Sequence, residues 1–310
     1  MTRYDYRLVN VFAFAGQALT GNPLCVFEDA CGLDDVAMQA LALQFNLSET
    51  TFILPSDKAS AQVRIFTPAM ELPFAGHPTL GTAQVVRALR SERGAAGGTA
   101  SSGAGEATND ESSRIANDAV TLEMKAGVIP VEARGNFWTL RANAPTTRAF
   151  DLARVNELAA ALGLKSEDFA AAPLWVNTGM EQLLVPLASR EIARRMAPSA
   201  GLVAFTNSSG KVSVYCFSPL AAANPGEEML VRFFFTKNAG SVSEDPATGS
   251  ACANLGGYVL AMGQALPLKR TLLQGEFVGR PSKLELSVDA TRTIRAGGEV
   301  IELGRGAINL

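Results

Sequence analysis

Along the chain the apolar positions change period several times. Residues 7–14 (RLVNVFAF) are a run of β-branched and aromatic side chains that reads as a strand, and 20–23 (TGNP) closes it as a turn. From Leu33 to Phe45 the apolar positions Leu33, Val36, Ala37, Ala40 and Leu41 fall at helical spacing. Residues 50–55 and 61–67 read as two strands about a turn at 55–58, and 78–90 reads as a helix. The pattern then stops. Residues 91–117 are Gly, Ala, Ser, Thr and acids with almost no large apolar residue, a composition that cannot bury enough surface to offset its ordering entropy. This stretch reads as a low-complexity insertion or linker. Strand-like alternation resumes at Ala119, followed by a helical stretch at 151–162 and more strands.

The two halves echo each other. Residues 46–55 (NLSETTFILP) match 177–186 (NTGMEQLLVP), 63–66 (VRIF) match 231–234 (VRFF), and 73–77 (PFAGH) match 246–250 (PATGS). The order is the same in both halves, which implies two domains of one fold facing each other across a cleft, the usual place for a small-molecule site. Where the echo breaks it is also informative. Glu49 falls opposite Met180 and His77 opposite Ser250, so a two-fold scaffold carries polar groups that are not two-fold.

Composition narrows the chemistry. At 310 residues the chain is long for one core, and 47% hydrophobic with 18% charged residues is a globular balance. A net charge of −3 with no basic stripe gives no support for a nucleic-acid partner. The first residues carry charges and no sufficient apolar run, so neither a signal peptide nor a membrane span is expected, and the location expected is cytoplasmic. Cys25, Cys31, Cys216 and Cys252 show no CxxC spacing and are expected as buried thiols. His77 is the single histidine, whereas a catalytic zinc would recruit two or three, so no metal is expected. Neither GxGxxG after a strand nor GxxxxGK[ST] occurs, which leaves nucleotide chemistry unsupported. Acid–base or nucleophilic chemistry by ordinary side chains remains.

Two stretches carry it. In 73–81 (PFAGHPTLG) a strand gives way to a helix near Pro78, and free N–H groups at such a start, near Gly76, attract carboxylates. In 244–252 (EDPATGSAC) the design recurs at Gly249, with Thr248 and Ser250 as candidate caps. Both are equally readable as ordinary capped helices. His77 suits proton transfer near neutral pH or a structural hydrogen bond. Asp245 is read as a helix cap, as the group fixing a histidine tautomer, or as a partner for a substrate amine. Glu49, between a helix and an apolar strand, lies at an element edge where a general base would sit; a lone glutamate is otherwise surface. Gln274 reads as a polar cleft residue ahead of two turn glycines, and Arg280 as a carboxylate partner or a surface cation.

Together, GNP at 21–23, NLSETTF at 46–52, PFAGHPTLG at 73–81, NTG at 177–179, VSEDPATGSA at 242–251 and QGEFVGRPS at 274–282 resemble the phenazine-biosynthesis (PhzF-like) isomerase family, over nearly the whole chain. The resemblance implies an α/β fold like diaminopimelate epimerase, two pseudo-symmetric domains each with a curled sheet around a central helix. The boundaries it suggests are 1–118 with about 300–310 returning to it, and 119–299, the segment 91–117 being the main departure. It implies a cytosolic homodimer, no cofactor, and isomerisation of a small carboxylated substrate by a glutamate that moves a proton between carbons. By motif that glutamate is Glu49, with His77 and Asp245 in support. Gly76, Gly249, Ser250 and Gln274 are then expected to bind the substrate. Neither glycine turn holds a cysteine, which argues against two-cysteine racemisation. An amino-acid epimerase or racemase on the same scaffold, and a dimeric binding protein without chemistry, are the alternatives.

Overall fold

The opening apolar run folds as β1 (Arg3–Ala13), longer than its pattern because Tyr4 is also buried. The computed structural model describes residues 1–97, 119–220, 228–236 and 241–310. After β2 (Asn22–Phe27) comes α1 (Asp35–Phe45), started by Asp34, whose carboxylate accepts the Ala37 N–H at 2.8 Å. Then follow β3 (Thr50–Leu54), β4 (Ala61–Phe66), β5 (Glu71–Leu72), α2 (Gly76–Gly97), β6 (Ala119–Met124), β7 (Gly127–Arg134) and β8 (Phe137–Arg141). Helix α2 outruns the expected 78–90 at both ends. Residues 91–97 of the expected insertion continue this helix, and 98–117 lie outside the described residues.

These elements make one compact unit of Met1–Val11, Pro23–Leu140 and Glu299–Leu310. Its sheet curls about α2, which lies against β3, β4, β6 and β7. Alternation along β3 explains both of its faces. Thr51 meets Thr82 of α2 hydroxyl to hydroxyl at 2.8 Å, while Phe52 turns the other way into a core with Phe27, Phe66 and Met38 of α1. The unit runs past the expected boundary at 118/119 because β6 pairs in parallel with β4, which keeps β6 to β8 with the first half.

The second unit comprises Phe12–Asn22 and Arg141–Gly298. It holds β9 (Thr146–Ala149), α3 (Val155–Ala161), β10 (Leu174–Asn177), β11 (Glu181–Pro186), α4 (Arg190–Arg195), β12 (Ser213–Phe217), β13 (Met229–Thr236) and β14 (Val242–Asp245). Next come α5 (Gly249–Ala261), β15 (Leu268–Gln274), β16 (Ser282–Val288) and the first part of β17 (Ile294–Asn309). Helix α5 is buried without a break from Ala251 to Val259 and lies against β9, β10, β11 and β16. Trp175, Leu183, Phe205 and Phe234 belong to a separate core with Leu158 of α3 and Ala193 of α4. Cys25, Cys216 and Cys252 are buried, and Cys31, against expectation, is exposed. Among the described residues no helix is long and apolar enough to cross a membrane.

The strand register corrects the internal repeat. β3 pairs in parallel with β2 and antiparallel with β4, Phe52 standing opposite Arg64. β12 pairs in parallel with β11 and antiparallel with β13, Cys216 standing opposite Arg232. The counterpart of β3 is therefore β12, not β11, and the match of 46–55 with 177–186 was a coincidence of two apolar runs before a proline. In the true register Glu49 corresponds to Ser213, and Met180 to Asn22. The other two matches hold. Glu71 pairs opposite Phe66 as Glu244 does opposite Phe234, which sets His77 against Ser250 and Leu72 against Asp245.

Candidate active site

Glu49 owes its place to the end of α1. Asn46 closes that helix in the left-handed region (φ 50, ψ 31), its N–H bonding the Ala42 carbonyl, and asparagine tolerates this conformation better than most residues. Leu47–Glu49 then turn into β3. The Glu49 side chain is 16% exposed, and its buried Oε2 lies 3.5 Å from the buried Nε2 of His77. His77 is the second residue of α2, followed by Pro78 in the first turn. Burial pushes the imidazole down to about 3, against the smaller opposing effect of its hydrogen bond to the Pro23 backbone. The ring is therefore neutral at physiological pH. Proline has no N–H, so this bond runs from the ring to the Pro23 carbonyl, and Nε2 is left as an acceptor facing Glu49.

The second unit assembles another polar group where β14 gives way to α5. Thr248 occupies the N-cap position of α5 but does not cap it; its hydroxyl donates to the Asp245 carboxylate instead. Asn22 donates to Asp245 Oδ1 at 3.3 Å and to the Ala247 carbonyl at 3.0 Å. Gln274 Nε2 donates to the Asp245 carbonyl at 2.9 Å and to Thr248 Oγ1 at 3.0 Å, while its Oε1 accepts the Thr248 N–H at 3.2 Å. Gly275 (φ 79) lets this turn close, since a Cβ there would stand 2.2 Å from the Arg280 carbonyl oxygen and 2.5 Å from that of Pro246. Burial raises Asp245 to about 7 and the neighbouring Glu244 adds to the rise, while the bonds from Thr248 and Asn22 oppose it. This carboxyl is thus poised between its two protonation states near neutral pH.

Gly249 and Ser250 open α5, whose first N–H groups have no intrahelical acceptor. Ser250 Oγ accepts from Gln182 Nε2 at 3.0 Å, which leaves the serine proton free to donate. Behind it the buried Asn254 donates to Gln182 Oε1 at 2.8 Å and accepts from both the N–H and the hydroxyl of Thr178. Such a satisfied buried chain fixes Ser250 in one orientation.

The family model for phenazine biosynthesis-like proteins matches residues 11–302. The chain belongs to that family. An uncharacterised isomerase of Pasteurella multocida is 37% identical to it, covering 99% of this chain and 95% of the relative. The trans-2,3-dihydro-3-hydroxyanthranilate isomerase of Pseudomonas aeruginosa is 34% identical, covering 90% and 89%. A solved structure from Pseudomonas aeruginosa, described as a predicted epimerase, superposes with a TM-score of 0.75 at 30% identity over the full length of both chains. This phenazine biosynthesis-like chain is accordingly an isomerase with an epimerase-like α/β architecture.

For this isomerase the geometry sorts the expected residues into two groups, Glu49 with His77 in the first unit and Asp245 with Gln274 in the second. Gln274, expected as a substrate contact, is 1% exposed with its amide committed to the Asp245–Thr248 turn; it supports the site from behind. Arg280 is half-buried, its Nε donating to the Gly21 carbonyl at 3.0 Å. Asn22, Gln182 and Asn254 escaped the sequence reading. Asn22 stood in plain view within GNP, but a turn asparagine and an asparagine reaching a distant carboxylate have the same local pattern.

Proposed function

We propose that this isomerase carries out cofactor-independent proton transfer on a small carboxylate-bearing, amino-acid-like substrate, with Glu49 as general acid/base. The observation that carries this reading is the buried Glu49 Oε2 placed 3.5 Å from the acceptor nitrogen of a histidine held neutral. The carboxylate removes an acidic carbon-bound proton from the substrate. The Oε2–H so formed faces His77 Nε2, which accepts a hydrogen bond from it, and this acid, exchanging with solvent between the two steps, gives a proton to a different carbon. Free N–H groups at helix starts bind carboxylates, and the starts at Gly76 and at Gly249–Ser250 each offer them; Asp245 is read as a substrate-orienting group.

The test is exchange in D2O. Glu49→Gln should slow deuterium incorporation into trans-2,3-dihydro-3-hydroxyanthranilate, and into a panel of small amino- and hydroxycarboxylates, by about 10²–10⁴-fold with an unchanged circular dichroism spectrum. Exchange at the wild-type rate in this variant would sink the reading. A second reading, epimerisation of an amino acid, needs a second proton carrier, for which Asp245, pushed up to about 7 by burial, is the candidate. It predicts recovered substrate with one inverted centre instead of a migrated double bond.

A further inference from the structure

Asp245 is held by Thr248 of its own turn and by Asn22 of β2, and beyond its backbone bonds the strand end that presents it is tied to neighbouring elements by one guanidinium. Arg232 on β13 is 5% exposed. It forks onto Glu244, the residue before Asp245, with Nε and Nη2 donating at 3.0 and 2.7 Å. Its Nη1 donates to the carbonyls of Ala193 and Met196, at 3.2 and 3.0 Å, where α4 ends. The same group lies over the ring of Phe277, 4.1 Å from its centroid, in the turn that follows Gln274. One side chain therefore ties β14, which delivers Asp245, to the segment after Gln274 and to α4.

The first unit contains the same fork without the function. Arg64 donates to both oxygens of Glu71 at 2.9 and 2.7 Å, and packs over Phe66 as Arg232 packs over Phe234. Its remaining donor goes to the exposed Asp35, and the residue after Glu71 is Leu72. The fork is thus an inherited part of the duplicated scaffold, and only in the second unit does it precede a carboxylate.

We propose that Arg232 is the positioning residue of the Asp245 group, its fork on Glu244 fixing the strand end that presents the carboxyl to Thr248 and Asn22. This rests on the reading of Asp245 as a substrate-orienting group. A bidentate planar fork cannot be reproduced by lysine, so Arg232→Lys keeps the charge and loses the geometry. The double variant Arg232→Met/Glu244→Leu removes both charges and leaves neither buried ion unpaired.

The experiment follows the Asp245 carboxyl by ¹³C NMR titration of the full-length protein, with the Asp245→Asn spectrum as assignment. In Arg232→Lys, which keeps the Glu244 charge, the Asp245 midpoint should fall towards the ordinary carboxylate range, as water reaches a carboxyl no longer held in place; in the double variant loss of the Glu244 charge adds to the fall, so the lysine variant decides. Deuterium exchange should fall by about tenfold or more, the cost of misplacing a reacting partner. Arg64→Met/Glu71→Leu should leave the Asp245 midpoint unchanged. If the double variant fails to fold, Arg232→Lys carries the test. A wild-type midpoint in the Arg232 variants, or an equal fall in the Arg64 control, would overturn the proposal. A shifted midpoint with undiminished exchange leaves the positioning intact and overturns the role given to Asp245.

Discussion

Asp245 and His77 are two groups that burial has moved in ways that cost stability at opposite ends of the pH scale. For Asp245 the folded value is near 7 against an ordinary 3.8, so the folded state binds its proton more tightly than the unfolded chain does. Stability therefore falls as pH rises from about 4 through 7, and the full penalty is present above that. Asp245→Asn should raise the melting temperature by several degrees at pH 8, with a smaller gain at pH 5 and none near pH 4, in calorimetric scans of both proteins. A gain independent of pH would mean that the carboxyl is not buried charged at neutral pH. His77 runs the other way. Its folded value near 3 lies below the ordinary 6.5, so the unfolded chain takes up a proton first and stability is lost as pH falls from 6.5 towards 3. His77→Gln should lose less stability than the wild type between pH 7.5 and 4.5, measured by urea denaturation at each pH. The same loss in both proteins would place the acid sensitivity elsewhere.

Elements were legible where their period was long. The 3.6 spacing of 33–45 gave α1 almost to the residue, and the alternation from Ala119 gave β6 to β8. What failed was pairing. β3 and β11 are both short buried runs, and only the partners, β2 and β4 for one, β10 and β12 for the other, tell them apart. Helix α2 was cut short for a related reason: residues 91–97 have no apolar stripe, and what holds Glu92 is an ion pair with Arg7, eighty-five positions away in sequence. Glu49, His77 and Asp245 are candidates that chain order alone singles out, whereas Asn22 was missed because its partner lies 223 positions away. Gly275 lies between these cases, since its need for φ 79 is local but the atoms a side chain would meet are not. Gly275→Ala adds an unfavourable left-handed alanine to an overlap with the Pro246 and Arg280 carbonyls, a cost of about 3 kcal/mol or more. Chemical denaturation should show this loss, and an unchanged midpoint would mean the turn relaxes without resistance.

At the scale of the molecule, the first unit has to be closed from three separate stretches of chain, and its means of closure is ionic. Arg7 on β1 is fully buried and donates to Glu28 at 2.7 Å, Glu92 at 2.8 Å and Glu302 at 3.0 Å. These come from just after β2, from α2 and from β17, so one guanidinium joins the start, middle and end of the sequence. Arg305 adds bonds to Glu92 and Glu302 at 2.9 and 2.7 Å. Bonds from Arg7 and Arg305 hold Glu92 below its ordinary value; for Glu302, burial acts in the opposite direction but is outweighed by bonds from the same two arginines. Because both folded values are depressed, their contribution is present above about pH 4.5 and is lost as the carboxylates protonate below it. Arg7→Met leaves the glutamates without their common partner. Since they keep some contact with water, the cost should sit at the low end for a broken buried pair, about 3 kcal/mol. Denaturation at pH 7.5 and at pH 3.5 should show the gap between variant and wild type shrinking in acid, while 1 M salt at pH 7.5 leaves it nearly unchanged because the guanidinium is shielded from solvent. A gap that salt erases would make the hub a surface ion cluster, and the closure of the unit would then rest on its apolar core alone.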